Sequence, residues 1–435
     1  MTDKSKVLFL IVGMGNKKDP EYPESYLRLL KKAVDSTDAG NIVLLPSGSS
    51  KEHAERIKTE YESSRTVFIQ DLPERSMEFD ADKCYEFFES LFRSRFREGF
   101  SAENFIIDFT HGTKAMSAAL YAIGMRYRVS DFHYIRRNND KDGNLIDGET
   151  VKNFDASYAR GLAVLDQCKT LFKSGQFSAA AALLSIEKPK KTLKQTFENV
   201  KMLADFYSAW DRLDYKTAAD ICPEFQTPLF GFDTTSSVKD WVCALAKPVV
   251  EPDEKMHEVL PQIKLNENAE IVLNIMFDLY ANGLRRLDAG QYEDAAIRAY
   301  RIAEMLGQFY LFQSGYMSNR MSSSDPKVRT FAENNRLWKK ENSDIYPPFG
   351  RKQVIDFLEY LKHSKADFLR SIDAKIADMR NNSILIHGYA SRVKSINELR
   401  NIFELLAHQM KPLTEDDGLS KLATALFMNN FKDNK

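Results

Sequence analysis

Cysteine is scarce in this chain. Cys84, Cys168, Cys222 and Cys243 are the four present in 435 residues, and no two lie at zinc-ligand spacing. That argues against a disulfide framework and fits a reducing cytoplasm. Neither sign of charge is in excess: 61 basic against 62 acidic residues leave a net charge of -1. No global positive field therefore marks a nucleic-acid binder, and any RNA or DNA site must be local. Long apolar runs are missing too. The N-terminal "KVLFLIVG" has no cleavage-site pattern after it and reads as a buried strand rather than a signal peptide. No stretch approaches the ~20 apolar residues that span a bilayer, so a cytoplasmic protein with no membrane partner is expected. There is no G-x-x-x-x-G-K-[ST] phosphate loop, and "GMGNKK" lacks the third glycine of a dinucleotide fingerprint. No cluster of carboxylates or cysteines supplies a metal site, so none is expected.

What is present is a globular composition, 43% hydrophobic and 28% charged, in a chain long enough for two or three domains. Residues 1–155 alternate short apolar runs with helical patterns: "KVLFLIVG", "NIVLLPSG", "TVFIQDL", "NFIIDFTHGT" and "DFHYIRR" are each separated by an amphipathic stretch, with "GETVKNF" as a further edge strand. Such alternation predicts an α/β domain, a parallel sheet covered by helices on both faces. Beyond residue 155 the pattern is all-α. Three segments, "KSGQFSAAAALL", "DRLDYKTAADI" and "DAGQYEDAAIRA", share a turn, an aromatic and paired alanines, which predicts helical hairpins. Prolines and charges over 247–270 interrupt the periodicity, and 318–350 reads as a long loop or lid. The expected domains are 1–155, 156–262 and 263–435.

In an open parallel sheet, ligands sit beyond the carboxyl ends of the strands where strand order reverses. Three of those ends stand out: Gly13-Met14-Gly15-Asn16, Ser47-Gly48-Ser49, and Thr110-His111-Gly112-Thr113-Lys114. A helix opening near Thr113 would offer N–H groups and its dipole to an anion, with Lys114 adding a point charge. The same residue types also serve as plain helix caps, so spacing alone leaves both readings open. His133 is placed near the same region, or packed within its strand. "KPKKTLK" (188–194) reads as a solvated turn, and Trp338 and Tyr346 as anchors of the long loop.

The second constellation is "RNNSILIHG", residues 380–388. Seven residues of helix turn through roughly 700° and rise about 10 Å, which puts Arg380 and His387 on one face. They flank an apolar stripe of Ile372, Ile376, Met379 and Ile386. A histidine titrating near pH ~6.5 can move a ribose proton, and an arginine can hold the phosphate as charge builds on it. Asn381 can position either group. The axial gap of about 10 Å between the two groups favours a two-fold homodimer that pairs both motifs. Spacing alone is not diagnostic, since Arg126 and His133 show it as well.

Two family resemblances add weight. "DFTHGTKAMSAALYAIG" resembles the motif of the CARF domain, a Rossmann-like sensor in CRISPR-associated proteins, with Asp108, Thr110, Gly112, Thr113 and Lys114 at the matching positions. The resemblance implies that Thr110 to Lys114 contact a cyclic oligoadenylate, with Gly13–Asn16 and Ser47–Ser49 completing the pocket. "RNNSILIHG", preceded by "GQYEDAAIRAYRIAEMLGQFYL", resembles the Arg-(Asn/Asp)…His motif of HEPN ribonucleases. It implies catalysis by Arg380 and His387 beside Asn381. Together they resemble the CARF–HEPN ribonucleases of type III CRISPR systems. That implies a metal-independent endoribonuclease of single-stranded RNA leaving 2′,3′-cyclic phosphate ends, with no cofactor. The activator would be cyclic tetra-adenylate or hexa-adenylate, four being favoured. The alternative is a non-enzymatic nucleotide sensor whose helical hairpins bind a partner.

Overall fold

The computed structural model describes residues 6–17, 21–139, 145–154, 156–223, 229–230, 236–251, 260–339, 343–381 and 396–413. The chain divides into two compact units, one of residues 1–164 with 187–194, the other of residues 165–186 with 195–435.

The first unit is the α/β domain. Its elements are β1 (Val7–Val12), α1 (Glu24–Asp35), β2 (Asn41–Pro46), α2 (Lys51–Tyr61), β3 (Thr66–Ile69), α3 (Ala81–Arg97), β4 (Phe105–Asp108), α4 (Lys114–Arg126), β5 (Asp131–Asn139) and β6 (Leu145–Phe154). The sheet order is β3-β2-β1-β4-β5-β6. The first five strands are parallel, and β6 runs antiparallel to β5 with Phe132 opposite Phe154. The expected edge strand is therefore present.

Period-two geometry explains why β1 is apolar throughout. Val7, Phe9 and Ile11 face one core, where Phe9 stacks on Phe92 at 4.3 Å between ring centroids and Phe88 and Ile107 pack nearby. Leu8, Leu10 and Val12 face the other, built from Leu27 and Leu30 of α1 and Ile57 of α2. Residues 187–194 join this unit through Glu187, which pairs with Arg160 at 3.2 Å, and Lys188, 3.3 Å from Glu103. Lys188, in the basic run "KPKKTLK", is exposed together with its partner, as a solvated turn requires.

The second unit is helical. Its elements are α5 (Ser157–Lys173, which starts in the first unit), α6 (Phe177–Ile186), α7 (Lys194–Asp211), α8 (Tyr215–Ile221), α9 (Ser236–Leu245), α10 (Gln262–Asp288), α11 (Tyr292–Gln313), α12 (Pro326–Asn334), α13 (Arg351–Tyr360), α14 (Ala366–Asn381) and α15 (Ile396–Met410). All three expected hairpins are present, and α5, α7 and α10 end in the same way. The N–H of Gln176, Asp214 and Gln291 returns to the carbonyl five residues back, behind a left-handed residue: Gly175, Leu213 and Gly290. These are Schellman endings, which reverse the chain and let the alanines of the next helix meet the previous one. Ala180, Ala218, Ala295 and Ala296 are all buried.

Two expectations need correction. The stretch 318–350 is not a plain loop: it holds α12, and Ser322 bridges Ile345. Asp325 caps the N–H groups of Lys327 and Val328, and Pro326 starts the helix, a strong start signal masked by the polar composition around it. Tyr346 is buried as an anchor, whereas Trp338 is 80% exposed. The break over 247–270 also ends early, because α10 begins at Gln262. Leu265, Ala269 and Val272 supply its buried stripe. Buried Asn268 both donates to and accepts from the backbone of Val250. Among the described residues no helix is long and apolar enough to cross a membrane.

Candidate functional site: a cleft at the reversal of strand order

Strand order reverses between β1 and β4, and an open cleft of about 510 Å³ lies at their carboxyl ends. Gly13, Met14 and Gly15 after β1, Ser47 and Ser49 after β2, and Thr110, His111, Gly112 and Thr113 after β4 all line it. Asn16 and Lys114 lie next to these loops in sequence, are exposed, and do not line the cleft. His133 is buried against Asp131 at 3.1 Å and does not line it either.

The loops touch because they carry glycine. A Cβ at Gly13 would sit 2.6 Å from the Gly112 nitrogen, and one at Gly112, where φ is +87°, would sit 2.3 Å from Ile11 Cγ2. The Gly13 N–H donates to the Tyr26 hydroxyl at 2.7 Å, and that ring stands edge-on to His111 with centroids 5.1 Å apart. The β2 loop is tied back by Ser50, whose hydroxyl donates to the Val12 carbonyl at 2.6 Å and meets Ser47 Oγ at 2.9 Å.

In the β4 loop, Asp108 accepts from the Thr110 N–H at 2.9 Å, and Thr110 Oγ1 accepts from the Ile135 N–H at 2.9 Å. Burial holds the Asp108 carboxyl above the usual carboxylate range. Thr113 caps α4 by accepting from the Met116 N–H at 3.2 Å, and donates to the Glu78 carbonyl. Thr110 and Thr113 therefore use their hydroxyls, and Thr110 also its N–H, to shape the loop, so its anion-binding resource is the N–H groups that follow at the start of α4.

Sequence reasoning missed four lining residues: Tyr26, Arg75, Glu78 and Phe79. The last three belong to a single helical turn, Arg75–Phe79, in the β3–α3 connection. Arg75 donates to Ser49 Oγ at 2.6 Å, and Glu78 Oε2 accepts from the Gly48 N–H at 2.6 Å. The signal was available in "PERSMEF", where a cation, a carboxylate and an aromatic follow the end of a parallel strand.

The second constellation is reached only in part. Arg380 and Asn381 form the last residues of α14, behind Ile372 and Ile376, which are buried. His387, with Met379's side chain and Ile386, lies outside what the structure describes.

Comparison with known proteins gives two family matches. Residues 265–413 match the Csm6 HEPN domain, and residues 162–238 match the Csm6 6H domain. Arg380, Asn381 and His387 fall inside the first match. No curated protein matches the chain. Among solved structures, the fold is similar to that of Enterococcus italicus Csm6 bound to cyclic hexa-2′-fluoro-hexa-dAMP. The TM-score is 0.57 at 16% identity, over 98% of this chain and 100% of that one.

Proposed function

From the premise that this chain is a CARF–HEPN protein of the Csm6 type, we propose that it is an endoribonuclease switched on by a cyclic oligoadenylate in CRISPR antiviral defence. The observation that carries this reading is one chain holding both parts. It has a glycine-lined cleft at a switch point, and a Csm6 HEPN match that encloses "RNNSILIHG".

In this reading the loops Gly13–Asn16, Ser47–Ser49 and Thr110–Lys114 hold the activator, its phosphates meeting those backbone N–H groups not already spent on Tyr26, Val12, Glu78 and Asp108, with Lys114 beside the cleft. His387 exchanges the 2′-hydroxyl or leaving-group proton, Arg380 neutralises the phosphate in the transition state, and Asn381 orients one of them. Attack by the 2′-oxygen on phosphorus expels the 5′-oxygen, giving a 2′,3′-cyclic phosphate and a 5′-hydroxyl without a metal ion. The substrate is single-stranded RNA, and the protein works in the cytoplasm as a homodimer that pairs two HEPN motifs. Residues 1–155 act as sensor, 156–262 as connector and 263–435 as nuclease. Activation requires the ring to bind one arrangement of that dimer better than the other.

The ring holds four or six adenylates, and the hexameric analogue in the similar structure makes six the first to test. The test is cleavage of a fluorogenic RNA in EDTA with each ring. Cutting only in the presence of a ring supports the proposal. Cutting that needs a divalent ion, or that ignores both rings, refutes the mechanism or the switch. A non-enzymatic scaffold would bind a ring and never cut.

A further inference from the structure

The Arg75–Phe79 turn brings a cation, a carboxylate and an aromatic to one wall of a cleft whose strand-end loops are rich in glycine and hydroxyl residues. Glu78 is only 5% exposed although it lines the cleft. Among the described residues its carboxylate accepts one hydrogen bond, from the Gly48 N–H. A carboxylate offers about four acceptor positions, so most of its acceptor capacity is left for a ligand in the cleft. The turn is also held in place. Thr113 donates to the Glu78 carbonyl, Cys84 Sγ donates to Met77 O at 3.0 Å, and Asp80 caps α3. Beside Glu78, the ring of Phe79 is 75% exposed at the rim of the cleft.

A fixed buried carboxylate repels phosphate, so it must face a part of the ligand that donates hydrogen bonds. An exposed aromatic next to it is a surface on which a base can stack. We propose that Glu78 and Phe79 are the specificity-determining residues of the cleft. An adenine lies against Phe79, and its exocyclic N6 amine donates to the free lone pairs of Glu78. The proposal rests on the cyclic-oligoadenylate reading above and adds how the base is told apart. It also predicts how the preference is lost. Because Gly48 N–H needs an acceptor, the amide of a glutamine at this position would turn its oxygen to Gly48 and its NH2 to the cleft, where it meets the adenine amine donor to donor.

The experiment compares binding of cyclic hexa- or tetra-adenylate, whichever binds, with the same ring built from purine riboside, which lacks the amine. The wild-type protein is expected to favour the adenine ring by roughly tenfold to a hundredfold. Glu78→Gln is expected to bring the two rings within about threefold of each other by losing affinity for the adenine ring alone. Phe79→Ala should weaken both rings by roughly tenfold and leave their ratio unchanged. Equal wild-type affinity for the two rings overturns the proposal, as does an unchanged ratio in Glu78→Gln. Full affinity in Phe79→Ala overturns the stacking role. The wild-type comparison needs no variant, so it decides even where Glu78→Gln does not fold. A wild-type protein that binds no adenylate ring refutes the functional reading itself, a result distinct from loss of discrimination.

Discussion

Asp278 makes the stability of the helical unit depend on pH in a calculable way. It is fully buried in α10, where its Oδ1 accepts from Trp210 Nε1 at 2.8 Å and its Oδ2 from the Tyr215 hydroxyl at 2.9 Å. Burial outweighs those donors and the nearby Arg285, and pushes the carboxyl from 3.8 up to about 6. A folded-state value above the unfolded one means the folded state holds the proton more tightly. The stabilisation is therefore fully present below pH 3.8 and is lost as pH rises through about 6.

At about 1.4 kcal/mol per pH unit the whole loss is about 3 kcal/mol, of which about 2 kcal/mol falls between pH ~4.5 and ~7. Asp278→Asn removes the titration and keeps the packing: its oxygen accepts from Trp210, and the Tyr215 hydroxyl can turn to accept from the new amide. Urea titrations followed by tryptophan fluorescence at the two pH values measure the effect. The variant should gain about 2 kcal/mol on the wild type between the lower pH and the higher. A wild-type-minus-variant difference that is the same at both pH values refutes the reasoning.

Asp211 accepts from Asn282 Nδ2 at 3.2 Å, from Arg285 Nε at 3.1 Å and from Arg286 Nη2. Asp211→Ala removes the carboxylate that pairs with buried Arg285 and with Arg286, and should cost about 3–5 kcal/mol in urea unfolding. Adding Arg285→Met should restore part of that loss; no rescue contradicts the assignment. Gly112→Ala places a methyl 2.3 Å from Ile11 Cγ2 at a φ of +87°. It should lower stability by about 1–3 kcal/mol in the same assay and weaken activator binding in titration. Wild-type values in both would mean that Gly112 need not lie so close to β1.

The sheet was legible because its inner strands carry a strong local signal, a continuous apolar run closed by small residues, as in Val7–Val12 and Asn41–Pro46. The hairpins were legible from Gly175 and Gly290, while Leu213, equally left-handed, was found only through its similar neighbours. The boundary at α10 was obscured because "KLNENAE" displays its polar face, and Asn268 is buried through a partner 18 residues away that local pattern does not reveal. In the cleft, glycine and hydroxyl residues directly after strands announced themselves. Tyr26, Arg75, Glu78 and Phe79 did not, because long-range contacts such as Gly48 with Glu78 bring them in from α1 and from a connection that reads as a surface turn.

The most direct test of the central claim is the rate of RNA cleavage by the wild-type protein and by His387→Ala, each saturated with the activating ring in EDTA. The account predicts ring-dependent cutting by the wild type and a loss of ~100-fold or more in the variant, with ring affinity unchanged. A variant that binds the ring and still cuts at the wild-type rate contradicts it.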